Sequence, residues 1–239
     1  MFHTVVIGGG CLGASAAISL QRKLNEEGKG GKVCLLEKAV LCAAESSRHS
    51  GIVRSANADP DASVMASMSS HMWKDLSKVW GIDMELDEFG AIWIAKKNSD
   101  GENPVWQQLS DRMKKIDLTF EEIDTSSATE KCGKTLLTDN DESYFYEPEA
   151  FQLDPSILRS TLYNAIDQIG VELMEKTEVD TILTKGTEII GLTTNNGKIN
   201  AKNFVNATGA WSSQLFSKIG LKIPVTIEPV SVVNWMESP

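Results

Sequence analysis

Val5-Val6-Ile7-Gly8-Gly9-Gly10-Cys11-Leu12-Gly13 is the stretch that decides the fold. His3 to Ile7 is a short apolar run that ends in glycines, as a buried parallel strand does. Cys11 to Glu26 follows with Leu12, Ala16, Ala17, Leu20 and Leu24 at helical spacing. Between them, Gly8, Gly10 and Gly13 satisfy G-x-G-x-x-G. Gly8 allows a tight turn, Gly10 lets a pyrophosphate approach the backbone, and Gly13 lets the helix pack closely on the strand. Cys11 and Leu12 open the helix, whose free N–H groups and dipole then face the phosphates. The run Gly28-Lys29-Gly30-Gly31 breaks the helix, and Val33-Cys34-Leu35-Leu36 reads as a second buried strand. A strand–helix–strand unit needs a parallel sheet with helices on its faces. The second strand leads to Glu37, an acid that can accept from both hydroxyls of a ribose and that repels a phosphorylated one. The separation of Gly13 and Glu37 is slightly long for this motif, and the extra residues fall in the glycine turn, where length is cheap. A structural glycine turn followed by a surface glutamate is the bland alternative, and the matching context argues against it.

Composition narrows the function classes. The chain has 239 residues, 41% hydrophobic and 23% charged, which suits a soluble globular protein with a sizeable core. A formal charge of -10 argues against nucleic acid, whose phosphates need a basic face. The four cysteines, Cys11, Cys34, Cys42 and Cys132, form no CxxC pair, and the three histidines share no ligand spacing, so neither a disulfide framework nor a metal site is expected. A reducing compartment is expected: the cytoplasm, or the mitochondrial matrix in a eukaryote. The first strand begins almost at Met1, so no signal peptide is expected, and no apolar run is long enough to span a membrane.

Farther along, the pattern continues to alternate. Ala39 to Pro60 reads as loop and short helix, Asp61 to Trp80 as helix, Gly90 to Ala95 as strand, and Asn103 to Ile116 and Pro155 to Ile169 as helices. Val171 to Leu173 and Glu178 to Thr184 read as strands. Glu188 to Thr194 and Lys198 to Asn200 form a hairpin about Asn195-Asn196-Gly197, and Phe204 to Ala207 is another buried strand.

The loop after the second strand separates FAD from NAD. A plain NAD domain continues quickly into another helix and strand. Here Ala43 to Arg54 is a polar loop with a glycine, carrying Ser46, Ser47, Arg48, His49 and Ser50. Serine hydroxyls, backbone N–H groups and an arginine suit phosphates and an electron-rich flavin edge. A solvated basic loop is the alternative on this segment alone.

Three segments also carry a family likeness: Val5 to Gly13 with Glu37 and its neighbour Lys38, Ser46 to Arg54, and Val205-Asn206-Ala207-Thr208-Gly209-Ala210-Trp211-Ser212. Through them, and through Leu221-Lys222-Ile223-Pro224-Val225, the chain resembles the FAD-dependent D-amino-acid oxidase superfamily. Within it the likeness is to the branch of sarcosine oxidase, glycine oxidase and dimethylglycine dehydrogenase-like proteins. The resemblance implies FAD as cofactor. It implies an adenine contact at Val179, and a turn at Gly209 and Ala210 where the chain passes close to the dinucleotide, with Thr208 and Trp211 beside it among the cofactor-binding residues. It implies that Arg54 lies near the flavin and pairs with a substrate carboxylate; a structural salt bridge is the competing role. Phe151 stands where the family usually has glycine, which questions the local turn. Some relatives tether flavin through a histidine in the region of His49, but a surface or phosphate-proximal histidine fits the register better. Asn206-Ala207-Thr208 matches a glycosylation sequon, discounted because it ends a buried strand.

The expected architecture is α/β: a Rossmann-type FAD-binding domain from residues 1–86 and 155–218, with an inserted, incomplete α+β substrate domain from 87–154 and 219–239. Ile223 to Asn234 would be a strand entering that second domain. The implied reaction is oxidation of the C–N bond of a small amino acid or N-methyl amine. Two alternatives stand beside it: an NAD-dependent dehydrogenase, and a non-catalytic dinucleotide-binding fragment or subunit of a larger complex. Family members continue well beyond residue 239. The polypeptide alone is therefore expected to bind FAD weakly without turning over amines, its fold completed by a missing C-terminal half or a partner chain.

Overall fold

The computed structural model describes residues 1–57, 59–80, 86–132 and 138–228. In chain order these form β1 (Phe2–Ile7), α1 (Cys11–Glu26), β2 (Val33–Leu36), β3 (Ile52–Val53), α2 (Pro60–Trp80), β4 (Ala91–Lys96) and α3 (Pro104–Lys115). There follow β5 (Glu121–Ile123), α4 (Thr125–Lys131), β6 (Glu142–Glu147), β7 (Phe151–Gln152), α5 (Pro155–Ile169) and β8 (Glu172–Met174). The last elements are β9 (Val179–Lys185), β10 (Glu188–Thr194), β11 (Gly197–Ile199), β12 (Ala201–Asn206) and α6 (Ser212–Ser217), with 3₁₀ turns at Glu45–Ser47 and Gly209–Trp211.

The chain divides into two compact units, Met1–Ser50 with Pro155–Pro239, and Gly51–Asp154. In the first, a parallel sheet runs in the order β12-β1-β2-β8. The inner strands are covered on both faces, which explains their unbroken apolar runs. Val5, Ile7, Cys34 and Leu36 pack on one side against Ile182, Leu192 and Ile199 of the antiparallel β9-β10-β11 meander and against Leu215 and Phe216 of α6. The buried face of α1 is Gly13, Ala14, Ala17, Ile18, Gln21 and Leu24. This corrects the face expected from Leu12, Ala16 and Leu20. Small residues bring the helix axis close to the sheet, and Leu12, in the first turn, is 84% exposed. Gln21, buried within this face, accepts from the Val33 N–H at 2.7 Å and so ties α1 to β2.

In the second unit, β4, β6 and β5 form an antiparallel sheet in that order, packed through Phe145 against Leu109, Met113 and Phe120. Trp93, Trp106, Phe120 and Phe145 form a continuous aromatic group, with the Phe120 and Phe145 rings stacked at 5.4 Å. The short strands β3 and β7 pair antiparallel, Val53 opposite Phe151. Phe151, 1% exposed, is a core residue on a strand, so the departure from glycine there builds pairing in place of a turn.

The two units differ from the expected layout at residues 51–86, which belong with 87–154. The β3–β7 pair and the Leu153 N–H donated to Gly51 O at 2.9 Å tie this segment in. Residues 219–228 group instead with the first unit, where Ile219 and Ile223 pack on its core. Residues 223–228 carry no strand pairing; the rest of the strand expected over Ile223–Asn234 lies outside the described residues.

Candidate active site

The carboxyl ends of β1, β2 and β12 and the start of β9 enclose a cavity of about 540 Å³. Ligands of open parallel sheets bind at this end of the strands. Gly8 and Gly10 of the three-glycine turn line it. Gly8 has φ +108°, and a Cβ there would strike Ala207 O, at the end of β12. A Cβ on Gly13 would strike Gly8 O and lie 3.1 Å from the Ala207 Cβ. Gly13 thus sits behind the cavity and lets α1 start against the turn. Gly10 is different: a Cβ there would meet Ser46 Oγ at 3.1 Å, and Gly10 itself lines the cavity.

Glu37 is held by the main chain on both oxygens. Oε2 accepts from the Gly9 N–H at 2.8 Å, and Oε1 from the Ala39 N–H at 2.8 Å. A carboxylate has about four lone-pair positions, so two remain for further donors. Ser46 reaches across from the loop after β2, its Oγ accepting from the Cys11 N–H at 2.9 Å. Gly10, the N-cap of α1, has no side chain, so Ser46 supplies the cap from 35 residues away, while the rest of the first turn has no intrahelical acceptor. Burial raises the Cys11 thiol pKa, partly offset by a hydrogen bond with Ser15, and burial pushes Cys42 up to about 11. Both therefore stay neutral thiols that pack.

Lys38 Nζ lies 3.7 Å from the Trp211 ring centroid, a cation–π pair between two cavity residues. Val179 lines the cavity at the start of β9. The Asn195 side chain fastens the segment leading into it: Oδ1 accepts from the Glu178 N–H at 2.8 Å, and Nδ2 donates to Lys176 O at 3.0 Å.

The cavity thus brings together Gly8, Gly10, Cys11, Leu12, Glu37, Lys38, Ser46, Val179, Thr208, Gly209 and Trp211. Ser47, Arg48, His49 and Ser50 are not among its lining residues. Ser47 Oγ donates to Ala44 O at 3.2 Å, and the Arg48 N–H to Glu45 O at 3.0 Å. His49 Nε2 lies 3.1 Å from Ser46 O. These residues shape the turn that presents Ser46. Gly9 is a contributor that the motif does not announce. A Cβ there would lie 2.8 Å from the Glu37 Cβ, so only glycine brings its N–H onto the carboxylate. The third consecutive glycine was the available signal.

Arg54 belongs to the second unit. Its Nη1 donates to Ala56 O at 2.6 Å, and Cζ lies 4.4 Å from the Trp93 ring centroid. Among the described residues no carboxylate forms an ion pair with it.

Residues 3–237 match the family model described as DAO, FAD dependent oxidoreductase. The chain belongs to this family. The resemblance read from the sequence is borne out, as is the α/β architecture. The chain is 26% identical over 214 residues to the mouse mitochondrial pyruvate dehydrogenase phosphatase regulatory subunit, covering 89% of this chain and 23% of that protein. It is 22% identical over 237 residues to the 4-methylaminobutanoate oxidase (formaldehyde-forming) of Paenarthrobacter nicotinovorans, covering 93% and 26%. Glycine oxidase from Geobacillus kaustophilus shares the fold with a TM-score of 0.78 at 23% identity, over 92% of this chain and 59% of that one. The chain therefore spans about a quarter of these curated relatives' length. FAD is the family's cofactor, and the cavity fits its ADP half: a side-chain-free approach at Gly10, a helix N-terminus, and a carboxylate with unused lone pairs.

Proposed function

We propose that this chain forms the dinucleotide cradle, and part of the substrate-binding unit, of an FAD-dependent oxidoreductase acting on the C–N bond of a small amino acid or N-methyl amine. The observation that carries the reading is the cavity in which the Gly8–Gly13 turn, Glu37 and Ser46 converge. In this reading Glu37 accepts from the ribose hydroxyls, and the first turn of α1 faces the pyrophosphate across Gly10. Val179, Thr208, Gly209 and Trp211 enclose the dinucleotide, and the turn at Ser47–Ser50 holds Ser46 against the helix. Arg54 pairs with the substrate carboxylate through its planar fork. The amine gives up a hydride from carbon and a proton from nitrogen, and the imine takes up water to release a carbonyl compound and an amine. FAD, when bound, supplies the two-electron acceptor for this oxidation.

A second reading is favoured by the regulatory subunit among the relatives: a chain that binds FAD without turnover. One experiment separates the two. The protein, together with any C-terminal part or partner chain that completes its fold, is purified and reconstituted with FAD, its flavin content measured, and dye reduction followed with sarcosine, glycine, 4-methylaminobutanoate and L-proline. Flavin with turnover supports the oxidoreductase, flavin without turnover the second reading, and a colourless protein refutes both.

A further inference from the structure

We propose that Glu147 is the positioning residue for Arg54; this rests on reading Arg54 as the partner of the substrate carboxylate. Glu147 ends β6 and is 1% exposed, an unusual place for a carboxylate with no cation in ion-pair contact among the described residues. Its oxygens are held by three N–H donors. Oε1 accepts from the backbone N–H groups of Ser55 and Ala56, the latter at 3.1 Å. Oε2 accepts from Trp93 Nε1 at 3.2 Å.

All three donors belong to what surrounds Arg54. Ser55 and Ala56 directly follow it, and Ala56 O also receives its Nη1. Trp93 carries its guanidinium on the ring face. One buried carboxylate therefore fixes both the backbone that launches the arginine and the indole on which it rests. Accepting the indole N–H also polarises the ring toward greater electron density, which strengthens its hold on a cation. Only a carboxylate satisfies the arrangement. A glutamine at 147 has one acceptor oxygen, and its NH₂ would meet either the two backbone donors or the indole N–H head on.

The test uses the FAD-loaded holoprotein, with acetate as a bare-carboxylate probe titrated by flavin difference absorbance. Arg54→Lys should weaken acetate by about tenfold, because an ammonium cannot reproduce the fork. Glu147→Gln should weaken it by about three- to tenfold with FAD content unchanged, and the double variant should be no weaker than Arg54→Lys alone, since the second change acts through the first. A purely structural role would lower melting temperature and flavin content and leave acetate affinity alone. Unchanged acetate binding in folded, FAD-loaded Glu147→Gln overturns the proposal, and so does strict additivity in the double variant. If Arg54→Lys itself leaves acetate binding unchanged, the reading of Arg54 fails first and this role falls with it. Should Glu147→Gln not accumulate as folded flavoprotein, Trp93→Phe decides. It leaves Glu147 its two backbone donors, removes the indole N–H, and must weaken acetate for the proposal to stand.

Discussion

Replacing Glu37 by alanine removes an acceptor from two main-chain donors and, in the proposed reading, from the ribose as well, and the structure lets the two losses be separated. Oε2 and Oε1 each take one backbone N–H at 2.8 Å, from Gly9 and Ala39. A hydrogen bond to a charged group contributes about 1.5–3 kcal/mol when water cannot replace it. Glu37 is only half-buried, so water reaches the released N–H groups and the cost to the unliganded fold should be nearer 1 kcal/mol. In the proposed reading, bound FAD would cover this edge with its ribose, whose hydroxyls would lose a charged acceptor. The further loss is about 1.5–3 kcal/mol, a rise in Kd of about tenfold to a hundredfold. Glu37→Arg should be worse, setting a cation against the Gly9 and Ala39 N–H groups. The assay is quenching of FAD fluorescence on titration with protein, alongside thermal unfolding of the unliganded form. A Kd within about twofold of the parent, at the free-energy resolution of such titrations, refutes the ribose role. If Tm falls while Kd holds, Glu37 braces the turn and nothing more.

Three further outcomes are expected. Gly13→Ala places a methyl on Gly8 O, so α1 must lift from the turn; the cost is about 1–3 kcal/mol, read as a lower Tm at about 2–4 °C per kcal/mol. An unchanged Tm would mean the turn yields freely. Gly10→Val should abolish FAD binding while far-ultraviolet dichroism is kept, since its side chain enters the cavity and otherwise meets Ser46 Oγ; normal FAD binding would reduce the loop to a structural turn. In steady-state kinetics Arg54→Lys should raise KM for carboxylated amines more than for amines lacking the carboxylate. Equal losses on both would give Arg54 a structural or flavin-directed role.

The cradle was readable because its chemistry needs particular residues at short range. A phosphate approaching a main chain demands glycine, a buried parallel strand demands an apolar run, and the β1-α1-β2 unit lies within 36 residues that announce all of this locally. The Asn195-Asn196-Gly197 turn was readable for the same reason, although its second task was not: nothing in an Asn-Gly signal says that Asn195 also clamps Lys176 and Glu178. β6 escaped notice because Glu142-Ser143-Tyr144-Phe145-Tyr146-Glu147 mixes charge and aromatics, and its burial comes from partners on β4 and β5. Glu147 reads in sequence as one more surface acid beside Pro148. Its donors lie 54, 91 and 92 residues away, beyond the reach of any local pattern. Residues 223–228 misled in the opposite direction: their alternating apolar residues suit a strand, yet they form no ladder, and only Ile223 packs on the core while Val225 and Ile227 stay exposed.

The cradle of the first unit and the surroundings of Arg54 in the second are built from different materials, and this governs which changes each tolerates. Around the cavity the structure relies on main-chain N–H groups, glycines and one carboxylate, with Ser46 supplying the helix cap. Such a cradle accepts almost no substitution, because a Cβ at Gly8 or Gly13 collides with backbone that cannot rotate away. Around Arg54 the structure relies on side chains: an indole face, a buried carboxylate, and Phe151 opposite Val53 in the strand pair that precedes the arginine. Side chains can be exchanged while the sheet beneath them stays paired. Changes at Trp93 and Glu147 should therefore alter the grip on a substrate carboxylate while FAD affinity is preserved, and changes in the glycine turn should do the reverse. The experiment is a matched pair, Trp93→Phe and Gly10→Ala, each scored for FAD Kd and acetate Kd in the FAD-saturated protein. If both variants lose both affinities in proportion, the two regions do not act independently, and the division of labour argued from their construction is wrong.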